Sequence, residues 1–214
     1  MSAPIFRAFG ISRLRMASDG VGVTTLVCGY GCPLRCRYCL NPQSWAAGTP
    51  TRDYTPEGLY RILKIDDLYF RATGGGVTFG GGEPLLYADF LPAFRAVCGP
   101  DWTINLETSL AVDRSAVELA AEAVDIFIVD IKAGDDAAYR AYTGQGSERV
   151  RDNLGWLLDR VGPARIIARV PTIPGYADDA AADAAADCLR AMGVTQLDRF
   201  TYRLPSKSTG KELP

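Results

Sequence analysis

Apolar and polar positions along the chain fall into two alternating kinds of segment. Short runs rich in β-branched and aromatic residues cover 23–28, 76–79, 102–107, 124–130, 165–170 and 199–204, and predict six strands. Between them the apolar spacing turns helical. Val150, Leu154, Leu157, Leu158 and Val161 share one face, the pattern of an amphipathic helix packed on a sheet. Residues 177–192 are alanine-rich, with aspartates early and Cys188, Leu189 and Met192 late, and read as a helix between two strands. Thr55 before Pro56, Asp89, Asp113 and Ser147 stand where helix N-caps are expected.

Six strand–helix alternations with no linker-like break predict an α/β fold in one domain over residues 1–214, a parallel sheet with helices outside. Six units are too few for an eightfold barrel. The expectation is a partial (β/α)6 barrel of the TIM type, or an open doubly wound sheet. Only ten residues follow Leu204, so no closing helix fits and one sheet edge is left exposed or covered by a partner.

Composition narrows the chemistry. A hydrophobic fraction of 48% and a charged fraction of 22% in 214 residues are ordinary for a globular protein. The net charge of −2 and pI near 5.3 give no basic surplus, so nucleic acid is not an expected partner. Arg7, Arg13 and Arg15 break up the apolar stretches near the N-terminus, unlike a signal peptide, and no run reaches membrane-spanning length. A soluble cytoplasmic protein is expected. The chain has no histidine, which excludes a Ser-His-Asp triad, a His-ligated zinc hydrolase and imidazole acid–base work.

Polar residues close several of the expected strands: Gly80-Gly81-Gly82-Glu83-Pro84, Glu107-Thr108-Ser109, Asp130-Ile131-Lys132, and Arg169 before Val170-Pro171. Active sites of barrels and doubly wound sheets lie at this edge. Beside it, after the first strand, comes Cys32-Pro33-Leu34-Arg35-Cys36-Arg37-Tyr38-Cys39, a C-x3-C-x2-C run. Three readings compete. With Cys28, four thiolates could form a zinc-binding interaction module, although structural zinc usually takes two separated C-x2-C pairs and Cys28 lies within an apolar strand. The thiols could be free. An iron–sulfur cluster held by three cysteines, with one iron open, fits the number and spacing best.

The cysteine run with its aromatic Tyr38, followed by Gly-Gly-Glu-Pro after the second strand, resembles the radical S-adenosylmethionine (SAM) superfamily. The wider run Gly76-Val77-Thr78-Phe79-Gly80-Gly81-Gly82-Glu83-Pro84-Leu85-Leu86 is similar to that of the activating enzymes of glycyl radical enzymes, the pyruvate formate-lyase activating branch. So are Asp19-Gly20, Cys39-Leu40-Asn41-Pro42, Asp130-Ile131-Lys132 and Ile173-Pro174-Gly175, which extend the likeness from about 19 to 211. The resemblance implies that Cys32, Cys36 and Cys39 ligate a [4Fe-4S] cluster whose fourth iron takes SAM, and that reductive cleavage yields a 5′-deoxyadenosyl radical. It places Tyr38 near the adenine, Gly81, Gly82 and Glu83 at the methionine end, Asp130 at the ribose, and Lys132 and Arg169 at the SAM carboxylate. Glu107 and Asp130 match positions that hold a monovalent cation, with Glu107 longer than the usual aspartate.

The implied partners are a glycyl radical enzyme, whose glycine loses a hydrogen, and a flavodoxin or ferredoxin as electron donor. Arg35 and Arg37 would form either a docking patch for that donor or a solvated face. The second enzyme reading is a small-molecule radical SAM enzyme similar to 7-carboxy-7-deazaguanine synthase. Leu40 and Lys207 stand where the activating enzymes commonly carry histidine.

Overall fold

The structure is a computed structural model that describes residues 3–16 and 19–202. Lys207 and the end of the sixth expected strand, 203–204, lie outside the described residues.

In chain order the elements are β1 (Phe6–Arg15), β2 (Thr24–Gly29), β3 (Arg52–Tyr54), α1 (Pro56–Leu63), α2 (Asp67–Thr73), β4 (Gly76–Gly81), α3 (Phe90–Cys98), β5 (Thr103–Thr108), α4 (Arg114–Ala121), β6 (Ile126–Asp130), α5 (Asp136–Thr143), α6 (Glu148–Val161), β7 (Ile166–Thr172), α7 (Asp179–Ala191) and β8 (Gln196–Thr201). One sheet runs in the order β3-β1-β2-β4-β5-β6-β7-β8. The six strands from β2 to β8 are mutually parallel, which is the expected partial (β/α)6 barrel.

Two strands were not predicted. β1 and β3 extend the sheet past β2 in antiparallel sense. Register shifts between Ala8 and Gly10 and between Ser12 and Arg15 break the alternation of β1, so its apolar positions do not repeat every second residue. β3 is only three residues long.

Each parallel strand sends alternate residues to opposite faces. Val77, Phe79, Ile104, Leu106, Phe127 and Val129 point outward and are fully buried against the helices, where Phe90, Phe94, Leu154 and Leu157 meet them. α6 presents Val150, Leu154, Leu157 and Leu158 as expected. In α7, Ala182, Ala185, Ala186 and Leu189 are buried, while Cys188 faces out.

Only one of the four expected caps works by its side chain. Thr55 accepts from the Gly58 N–H. Asp89 is already helical in backbone and makes no cap bond. Asp113 also makes none and pairs with Arg149 at 3.1 Å. The Ser147 hydroxyl donates to Asp136 instead. Asp135 and Asp178 cap α5 and α7 by accepting from Ala138 and Ala181. Among the described residues no helix is long and apolar enough to cross a membrane.

Candidate active site

The cysteine run leaves β2 at Gly29 and is fixed in place by the end of α5. The Arg35 and Arg37 N–H groups donate to the Thr143 and Tyr142 carbonyls at 2.8 and 3.0 Å. These are carbonyls of the last helical turn, which lack partners within the helix. Arg35 turns its guanidinium back onto the Cys32 and Leu34 carbonyls, and Leu34 itself is buried. Asn41 donates to the Gly81 carbonyl at 3.2 Å and ties the run to the glycine loop after β4.

Cys32, Cys36 and Cys39 line one side of a single cleft. Gly81, Gly82, Glu83, Glu107, Asp130, Lys132 and Arg169, from the ends of four neighbouring strands, line the rest. Ten of the eleven residues singled out in the sequence therefore share one wall or another of this space. Tyr38 does not line it. Its ring packs edge-on against Tyr142 and Tyr176, 6.0 and 5.8 Å between centroids, in a cluster that also takes in Cys36 and Tyr202. Tyr176 is carried by the Ile173–Ala177 turn after β7.

The glycine loop is shaped by its own neighbours. A Cβ at Gly82 would lie 2.2 Å from the Gly31 carbonyl oxygen, and one at Gly81, where φ is +86°, would lie 2.9 Å from Cys28 Cβ. Both glycines allow the β4 end to sit against the β2 end. Glu83 is buried and takes four protein donors. Thr108 Oγ1 and the Leu85 N–H reach Oε1 at 2.8 and 3.2 Å, while the Ser109 N–H and Oγ reach Oε2 at 2.9 and 2.6 Å. A carboxylate offers about four acceptor directions, so Glu83 is filled by the protein itself. These four bonds fix the Glu83 carboxylate to Thr108, Ser109 and its own loop at the cleft wall.

Leu110 follows with φ +57°, a left-handed conformation that costs a branched side chain about 1–2 kcal/mol. Its N–H donates to Thr108 Oγ1, and Asn153 donates to its carbonyl. Thr108 and Ser109 are thus site residues that the sequence reading passed over. Their signal was present in Glu107-Thr108-Ser109, which ends the strand beside Gly-Gly-Glu.

The remaining charges stand in pairs. Arg169 Nη1 lies 2.8 Å from Glu107 Oε1, and Lys132 Nζ lies 2.8 Å from Asp130 Oδ2. Burial alone would push the Lys132 ammonium down, but Asp130 and Cys36 outweigh it and hold Lys132 above its usual range. Burial pushes the Glu107 carboxyl up, against the pull of Arg169. It also pushes the Cys32 thiol up to about 12, with Glu83 adding to the effect. Such thiols become thiolates when a metal centre supplies positive charge, releasing their protons.

Among the described residues no three thiol or carboxylate groups converge tightly enough to hold a single metal ion. Three thiols spread along one wall suit a polynuclear cluster, in which each binds a different iron. Cys28, on β2, lines the neighbouring chamber and not the cleft of the other three.

Past Glu107 and Arg169 the space continues into the barrel as a lateral chamber of about 610 Å³. Its walls are Phe9, Ser12 and Arg15 of β1, Leu26 and Cys28 of β2, and Asp198 and Phe200 of β8. The unpredicted β1 therefore supplies three of the residues that line this chamber. Cys98, buried at the end of α3, and the exposed Cys188 lie elsewhere.

Residues 26–188 match the Radical SAM superfamily. The chain is 33% identical over 168 residues to the pyruvate formate-lyase-activating enzyme of Staphylococcus aureus, covering 75% of this chain and 66% of that protein. It therefore spans just under two thirds of the length of the curated relatives it matches. Among solved structures, Streptococcus suis SuiB bound to S-adenosylmethionine superposes with a TM-score of 0.63 at 16% identity, covering 84% of this chain and 40% of that one. QueE from Escherichia coli superposes with a TM-score of 0.51 at 13% identity, covering 92% and 95%. These two likenesses bear on the fold.

Proposed function

The chain belongs to the radical SAM superfamily, and from that premise we propose that it is an activase that removes a hydrogen from a glycine of a partner glycyl radical enzyme. One observation carries this reading: the three thiols, the glycine loop and the strand-end charges line one cleft, and that cleft opens into a lateral chamber. The identity to a pyruvate formate-lyase-activating enzyme supports the choice of partner class.

The superfamily implies a [4Fe-4S] cluster and SAM, and the donor set suits both. Cys32, Cys36 and Cys39 would ligate three irons and leave the fourth open. When bound, the cluster and SAM together supply a one-electron cleavage that makes a carbon radical, the hard chemistry that a cofactor carries.

The chain's own residues bind and orient. Lys132 and Arg169 present fixed positive charge for the SAM carboxylate, Arg169 as a planar fork. Asp130 accepts from ribose hydroxyls. The carbonyls of the glycine loop receive the amino group, on a backbone that Glu83 locks to β5 through Thr108 and Ser109. Tyr38, beside the cleft, stiffens the cysteine run through Tyr142 and Tyr176. No histidine is required for these tasks. The lateral chamber, bounded by β1 and β8, would admit a loop of the partner, and a flavodoxin or ferredoxin would deliver the electron near the exposed Arg35 and Arg37.

The test is electron paramagnetic resonance of the anaerobically reconstituted, reduced protein mixed with SAM and a glycyl radical enzyme, with a pyruvate formate-lyase tried first. A glycyl radical signal that requires both protein and SAM is the expected result. Consumption of a free small molecule with no partner would replace the activase with the small-molecule reading. A colourless protein holding one zinc would overturn both.

A further inference from the structure

The resemblance implies a monovalent cation held by Glu107 and Asp130. The side chains present do not fit it. Each of the two carboxylates already has a protein cation at contact distance, Arg169 on Glu107 and Lys132 on Asp130. All four side chains are at most 26% exposed. Asp130 and Arg169 are registered partners on adjacent strands β6 and β7, and Glu107 sits one strand further on β5. Strand register thus delivers the guanidinium to the carboxylate of Glu107, and the extra methylene of glutamate over aspartate gives that carboxylate the reach to meet it.

We propose that this site works without a monovalent cation, because the Arg169 guanidinium, clasped by Glu107, takes the place of the ion. Each of the two shielded carboxylates is already matched by a protein cation, and the third carboxylate near Arg169, that of Asp198, is half exposed and screened by water. Another positive ion between Glu107 and Asp130 would have to displace Arg169 or Lys132 from its carboxylate. Asp198, whose carboxylate lies 3.7 Å from Arg169 Nε, holds the guanidinium from the other side. Arginine stays charged at every accessible pH, so the substitute is permanent. The proposal rests on the reading that SAM binds in this cleft.

The test measures SAM affinity of the reconstituted holoenzyme by equilibrium dialysis in sodium, potassium or choline chloride at equal ionic strength. A cation seated beside SAM would raise its affinity by coupling, by about fivefold or more. The expected result is affinity equal in the three salts within about twofold, since only general screening remains. A gain of about fivefold in sodium or potassium over choline overturns the proposal.

Glu107→Asp withdraws the carboxylate from Arg169 and is expected to acquire such a gain; a folded Glu107→Asp protein that stays indifferent to the salt overturns the role given to the Glu107–Arg169 pair. Sodium-23 line widths provide a readout that needs no SAM. Wild-type protein is expected to cause no broadening that potassium relieves, and such broadening would contradict the proposal. Failure of SAM to bind in all three salts would instead strike the reading of the cleft, while the sodium line widths would still decide the cation.

Discussion

β5 carries two kinds of chemistry one residue apart. Ile104 and Leu106 point outward and are fully buried among apolar side chains, whereas Glu107 points inward and pairs with Arg169. The same division runs across the sheet, with Phe79 outside and Gly80 inside on β4, and Val129 outside and Asp130 inside on β6. The outer face is continuous apolar packing, which stabilises in proportion to the area removed from water. The inner face holds charges and thiols where the dielectric is low and each needs a partner. The two faces are therefore separable: damage outside should unfold the protein, and damage inside should disarm it while leaving it folded.

The sharpest way to break that comparison is at the cysteines. Cys36→Ala is expected to abolish the broad visible absorption of the reconstituted protein, and with it all SAM cleavage, while costing less than about 1 kcal/mol of stability by urea titration of the apoprotein. An unfolded Cys36→Ala protein would show that the inner face carries stability after all. Outside, Phe79→Ala removes a fully buried ring packed on Phe6, Phe90 and Phe94. It should cost about 3–5 kcal/mol in the same titration.

A smaller effect tests the polar link on the outer side. Asp66, with no exposed side-chain surface, accepts from the Arg13 fork and from Thr25 Oγ1 at 2.8 Å, joining β1 and β2 to the start of α2. Asp66→Asn should lose about 2 kcal/mol, the worth of hydrogen bonds to a charged group, with SAM binding unchanged.

The smallest effect is on pH dependence. The Ser147 N–H and hydroxyl hold the Asp136 carboxyl down at about 2, below its ordinary 3.8. Because the folded value is the lower one, the contribution is fully present above 3.8 and lost as pH falls from there toward about 2. Urea midpoints measured across that window should fall less steeply in Asp136→Ala than in the parent.

The contrast between faces also explains what could be read in the sequence. Parallel strands covered on both sides give nearly continuous β-rich runs, so the six of them stood out and with them the barrel. β1 was hidden by its two irregularities and its arginines, and β3 by its shortness. For the site, residue type and strand-end position were enough to gather the thiols, the glycine loop and the four charges. What escaped were relations between side chains. Three of the four donors to Glu83 come from the end of the neighbouring strand, 25 and 26 residues later, and Arg169 lies 62 residues from Glu107. The tyrosine cluster behind Cys36 joins residues from the cysteine run, α5 and the turn after β7. None of these distances is encoded in local spacing; they exist only once the parallel order brings the strand ends together.

The central claim is that three thiols hold a cluster with one iron left open, facing the charged strand ends where SAM binds. Electron paramagnetic resonance of the reduced, reconstituted protein tests it directly when recorded before and after SAM is added. The account predicts a cluster signal whose g-values change on adding SAM, because a new ligand reaches the open iron. A cluster signal that SAM leaves unaltered would contradict it.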